Sequence, residues 1–106
     1  MTSGADEKRR SQRVPYPCEV RYSGSAADWQ SARLSDISVD GAFVDTMIEL
    51  PVGTKLLLAF EIEGTQVEIP TEVAHSMPQF GMGVRFLSLD PDARAAIEKY
   101  IRSQGR

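Results

Sequence analysis

The sequence predicts a small, mainly β domain, a barrel or a sandwich, finished by one C-terminal helix. Three observations carry this reading. Six short strand-like segments follow one another between residues 18 and 87, separated by Gly, Pro, Ser and Asp turn signals. Within them apolar and polar residues alternate with the period of two that gives a strand one buried face. After Leu89 that period gives way to helical spacing.

Residues 1–7, Met-Thr-Ser-Gly-Ala-Asp-Glu, have no apolar periodicity and are expected to be disordered, with the basic run after them part of a flexible N-terminal arm. Residues 8–106 read as a single domain. Pro15 and Pro17 stop any helix from continuing out of the arm. The expected strands are Cys18 to Tyr22, Gln30 to Ser38, Gly41 to Asp45, Lys55 to Ile62, Thr65 to Ser76 and Met82 to Leu87. In the fifth, Val67, Ile69, Thr71 and Val73 share one parity while Gln66, Glu68 and Glu72 take the other. Gly64, between Glu61-Ile62-Glu63 and Thr65, marks a tight hairpin. Asp90 suits a helix N-cap and Pro91 the first helical position. Ala93, Ala96, Ile97, Tyr100 and Ile101 then fall on one face, so an amphipathic helix is expected over about 90–103.

A chain of 106 residues, 42% hydrophobic and 25% charged, supports one core and not two. A single cysteine, Cys18, excludes an internal disulfide, and the first twenty residues hold no apolar stretch like a signal peptide, so a cytoplasmic location is expected. The longest unbroken apolar run, Leu56 to Phe60, is far below the roughly 20 residues of a membrane span. No membrane insertion is expected. A net charge of −3 and a pI near 5.1 argue against a general polyanion binder, and no DNA or RNA partner is expected. Yet Lys8, Arg9, Arg10 and Arg13 stand together with no acid among them, on a body more acidic than the total charge. That describes a compact anion site on an acidic domain.

Two clusters carry the functional reading. In Arg9-Arg10-Ser11-Gln12-Arg13, positions four apart share a face in a helix and in an extended strand alike, so Arg9 and Arg13 can converge on one target. Arginine presents a planar fork of donors that matches phosphate oxygens or the O6 and N7 acceptors of guanine. A solvated basic tail would look the same from these five residues alone. In Asp36-Ile37-Ser38-Val39-Asp40-Gly41, Asp36 and Ser38 share parity, with Ile37 and Val39 expected to face the core. Asp40-Gly41 is also a hairpin signal in its own right, glycine supplying positive φ. An ionised Asp36 can accept from the N–H groups on a guanine's Watson–Crick edge, and Ser38 can donate to a phosphate.

This pairing, an Arg-x-x-x-Arg segment before the first strand and an Asp-x-Ser-x-x-Gly motif some twenty residues later, resembles the PilZ domain family. Gly81-Met82-Gly83-Val84-Arg85-Phe86 near the last strand, followed by the helix, extends the likeness from about residue 7 to residue 103. The resemblance implies a six-stranded antiparallel β-barrel with a C-terminal α-helix, and a site for the bacterial second messenger cyclic di-GMP. It implies that Arg9 and Arg13 contact guanine edges and phosphates, that Asp36 meets guanine donors, that Ser38 meets the ligand's polar edge, and that Gly41 leaves room for close approach. Arg10, at a variable motif position, is an auxiliary contact. Lys8, just before the first motif arginine, leans toward a stacked ligand pair over a single molecule. The implied role is a receptor or adaptor whose arm folds over the ligand and signals to an unidentified downstream protein, with no cofactor.

His75 is the sole histidine and, without a second nitrogen or thiol ligand nearby in sequence, gives no metal site. It is kept as an outer ligand contact, expected at the barrel mouth. Catalysis finds no support, because there is no nucleophile elbow and Gly81-Met82-Gly83 is too short and too late for a dinucleotide fingerprint. Two other classes compete with the receptor reading. A barrel binding single-stranded nucleic acid would want a continuous basic groove interleaved with exposed aromatics, and a ligand-independent protein-interaction adaptor would be favoured by loss of a motif residue.

Overall fold

The computed structural model describes residues 12–24, 29–48 and 50–104. The expected disorder of residues 1–7 and the arm residues Lys8, Arg9 and Arg10 lie outside the described residues. The strands are β1 (Val14–Ser23), β2 (Trp29–Ile37), β3 (Gly41–Asp45), β4 (Lys55–Ile62), β5 (Thr65–Met77) and β6 (Gly81–Phe86), followed by helix α1 (Pro91–Gln104). All pairings are antiparallel, and the strands close into a barrel in the order β1-β2-β3-β6-β5-β4. Of the two all-β architectures open to the strand spacing, the chain adopts the barrel.

Alternation builds the interior. Leu34, Ile37, Leu58, Ile62, Ile69 and Met82 point inward and are almost wholly buried. Each such side chain contributes about 1.5–3 kcal/mol. Helix α1 joins this core through Ala93, Ala96 and Ile97. It begins as expected: the Asp90 carboxylate accepts from the Ala93 amide at 2.8 Å, with Pro91 at the first helical position. The Glu63-Gly64 pair forms the two-residue turn between β4 and β5, both with positive φ, 51° and 76°.

The first strand departs from expectation. It starts at Val14, not Cys18, and takes both prolines into the sheet. A bulge makes this possible: Pro15 pairs with Asp36 and Cys18 with Leu34, so Tyr16 and Pro17 together stand against Ser35 alone. β1 then pairs along β2, but meets β4 only where Arg21–Ser23 face Leu57–Ala59.

Candidate ligand-binding site

Of the described candidate residues, Arg13, Asp36 and His75 lie on the outer wall of the barrel. Register sets Pro15 beside Asp36, Asp36 beside Phe43, Phe43 beside Gly83 and Gly83 beside His75, one row across β1, β2, β3, β6 and β5. At a strand spacing of ~4.8 Å the row is about 19 Å long. Three register shifts fall on it, between Pro15 and Cys18, Leu34 and Asp36, and Val73 and His75. Each inserts a residue and so resets which way the next side chain points. Leu34 and Ile37 are thus both buried although three apart, with the Asp36 carboxylate between them on the outside. Likewise Val73 is buried and His75 exposed although they are two apart.

Asp36 accepts from the Arg13 guanidinium at 2.6 Å, joining the two motifs across 23 residues of sequence. Both side chains stay partly open to solvent, 47% for Arg13 and 35% for Asp36. Such a pair contributes roughly 0–1 kcal/mol, so it orients the two groups without locking them.

Ser38 does not stand beside Asp36 as parity suggested. The strand ends at Ile37, and the Ser38 hydroxyl, buried, accepts from the amides of Asp40 at 3.1 Å and Gly41 at 3.2 Å. It therefore holds the β2–β3 turn together. Val39 is only partly buried, packed against the edge of the core. Gly41 is not among the residues with positive φ; its glycine is needed because a Cβ there would collide with the Val84 carbonyl oxygen on β6. The space it leaves is filled by the neighbouring strand.

His75 stands on the outer wall inside β5, not at the barrel mouth, because the strand runs on to Met77. Its ring rests against Gly83, where a Cβ would come within 3.1 Å of the His75 Cδ2. The Phe43 ring lies against Gly81 in the same way. The two glycines of Gly81-Met82-Gly83 thus form a floor under two rings. Phe43 was not offered as a site residue from sequence, and Gly83 and Arg85 were quoted only within the last-strand motif, with no role at the wall; Arg85 faces Gly41 across the β3–β6 ladder and donates to Glu72 at 2.6 Å. Their signal is cross-strand register, which no local pattern carries. The wall offers a carboxylate, a guanidinium and two ring faces on one open surface, groups suited to a flat, anionic, hydrogen-bonding molecule. Among the described residues no cluster of His, Cys, Asp and Glu is set to hold a metal ion, and no helix is long and apolar enough to cross a membrane.

The profile of the PilZ domain family matches residues 7–103. No curated protein sequence matches the chain. Among solved structures it is similar to the PilZ domain of CeSA from a cellulose-synthesizing bacterium, with TM-score 0.68 and 14% identity over 91% of this chain and 100% of that one. It is similar to YcgR from Escherichia coli in complex with c-di-GMP, with TM-score 0.69 and 19% identity over 93% of this chain and 46% of that one. PlzA from Borreliella burgdorferi, also in complex with c-di-GMP, gives TM-score 0.60 and 16% identity over 90% and 36%. The chain spans less than half of these last two proteins, and at such identities the likeness is one of fold. A closed six-stranded barrel, a C-terminal helix, and a profile match covering nearly the whole chain together place it in the PilZ domain family.

Proposed function

We propose that this chain is a cytoplasmic cyclic di-GMP receptor, without catalytic activity of its own, that holds its ligand against the outer wall of the barrel. Arg9, Arg10 and Arg13 grip it from one side and the β2–β3 turn of Asp36, Ser38 and Gly41 from the other, with Lys8 and His75 as outer contacts. The observation that carries the reading is the Arg13–Asp36 contact, which brings the basic and acidic motifs together. Asp36 exchanges Arg13 for guanine N–H donors, and the freed guanidinium turns to phosphate or to guanine acceptors. Ser38 acts by fixing the turn, and the His75 ring offers a face for a base. The c-di-GMP complexes of YcgR and PlzA, which share the fold, support this choice of ligand.

Fixing the arm over the ligand costs on the order of 1–2 kcal/mol per residue. Charge-assisted bonds of about 1.5–3 kcal/mol each offset it. The surface made by arm and wall then differs between the empty and bound states, and a downstream protein reads that difference. Lys8 favours a stacked ligand pair. Calorimetric titration with cyclic di-GMP, GMP and a short oligonucleotide tests the reading. Binding is expected for the first alone, at two ligands per chain, weakened about 10- to 100-fold by Arg13→Ala and by Asp36→Ala. A folded protein that ignores cyclic di-GMP at millimolar excess, or prefers the oligonucleotide, overturns it.

A further inference from the structure

β1 and β4 close the barrel over three register pairs, and beyond Arg21 and Ala59 they part. Among the described residues no strand lies between Cys18–Val20 and Phe60–Ile62, and the opening is a groove of about 530 Å³. One carbonyl there is satisfied by a side chain, Glu61 O accepting from the Tyr16 hydroxyl at 2.6 Å. Tyr16 packs in turn on Tyr100 of α1, ring centroids 4.5 Å apart, which closes that end. Cys18, Val20 and Phe60 line the groove with apolar surface, and Glu19, Glu61 and Glu63 line it with carboxylates. Arg21 is its one basic lining residue, and that guanidinium lies over the Trp29 ring at 5.5 Å. Diverging strand edges, an apolar floor and an acidic rim are the features that capture an extended chain by strand addition.

We propose that this groove receives an extended, basic segment of a partner protein, which pairs through its main chain with the Cys18–Val20 edge of β1 and sets Lys or Arg side chains against Glu19 and Glu61. The acidic rim selects the charge. The occupant is assigned to another protein and not to the chain's own arm, because Arg13, immediately before β1, is held by Asp36 on the β2 side, away from the groove. The proposal does not depend on the cyclic di-GMP reading, whose Arg13–Asp36 pair lies on the β2 flank of β1.

A display library of random ten-residue peptides, selected on the full chain and on a Glu19→Lys, Glu61→Lys variant, tests it. Both glutamates are exposed, so the variant is expected to keep the fold. The expected result is enrichment of sequences with Lys or Arg at alternate positions, with capture at least tenfold lower on the variant. A selected peptide should slow amide exchange within residues 18–20 and 60–62, and N-methylation at its alternate amides should abolish binding. Failure to enrich, enrichment indifferent to the charge reversal, or undiminished binding of the N-methylated peptide overturns the proposal. So does a solution dimer that Glu61→Lys dissociates, which would give the groove to a second copy. A tenfold gain in capture on Arg9→Glu, Arg10→Glu would give it to the arm and overturn the proposal as well.

Discussion

Tyr16 titrates far from its usual range because of where it sits. Burial first, then the neighbouring Cys18, Tyr100, Glu61 and Glu63, push its hydroxyl from 10.0 up to about 12. The folded state holds this proton more tightly than the unfolded chain does. The associated stability is complete below pH 10 and is lost as pH rises through 12. Denaturant titrations across that window are expected to show falling stability, with a shallower slope for Tyr16→Phe. Some slope should persist, since burial also raises Tyr100. Burial raises the Cys18 thiol too, with Arg33 pulling it back, so iodoacetamide at pH 8 should alkylate it more slowly than an exposed cysteine. At Gly41 the added methyl of Gly41→Ala has to displace the β6 main chain at Val84. A loss of about 1–3 kcal/mol is expected, read as a lower denaturation midpoint.

At the scale of elements, the bulges decide which residues reach the wall. Regular alternation through Leu34, Ser35 and Asp36 would send Leu34 and Asp36 to the same side, and the bulge at Ser35 sets them on opposite ones. Deleting Ser35 leaves Leu34 and Asp36 adjacent and still on opposite faces, but takes away the residue opposite Tyr16 and Pro17 on β1, so it is expected to cost about 1–3 kcal/mol of stability while ligand binding is retained. Thermal melts and titration of the deletion variant check both. Asp90→Ala, by contrast, removes only the helix cap and should cost about 1 kcal/mol without touching the wall. Most of this layer was legible in the sequence. Val67 to Val73 announced the inward face of β5, Glu63-Gly64 its hairpin, and Asp90-Pro91 the start of the helix. Bulges were not legible, because Ser35 and Ala74 look like any strand residue and acquire their role from the partner strand. Nor was the entry of Pro15 and Pro17 into β1, whose cost a bulge absorbs. Asp36 and Arg13 were found as types and found together in space, whereas parity and motif gave no sign that the Ser38 hydroxyl bonds within the turn or that Gly41 lies against the β6 main chain.

For the molecule as a whole, the closure between β1 and β4 is its shortest seam. Its three rungs join strands more than thirty residues apart in sequence, so loop entropy opposes them more than it opposes the β4–β5 hairpin. Amides of Arg21–Ser23 and Leu57–Ala59 are expected to exchange faster than those deep in the β4–β5 ladder, measured by native-state hydrogen exchange. Uniform protection around the ring would contradict this. A cylinder with so short a clasp has a preferred way to come undone: it unrolls into a six-stranded ribbon with two raw borders. Two such ribbons can stitch together border to border, so heat or crowding should send this protein first toward strand-exchanged pairs rather than toward fully unravelled coils.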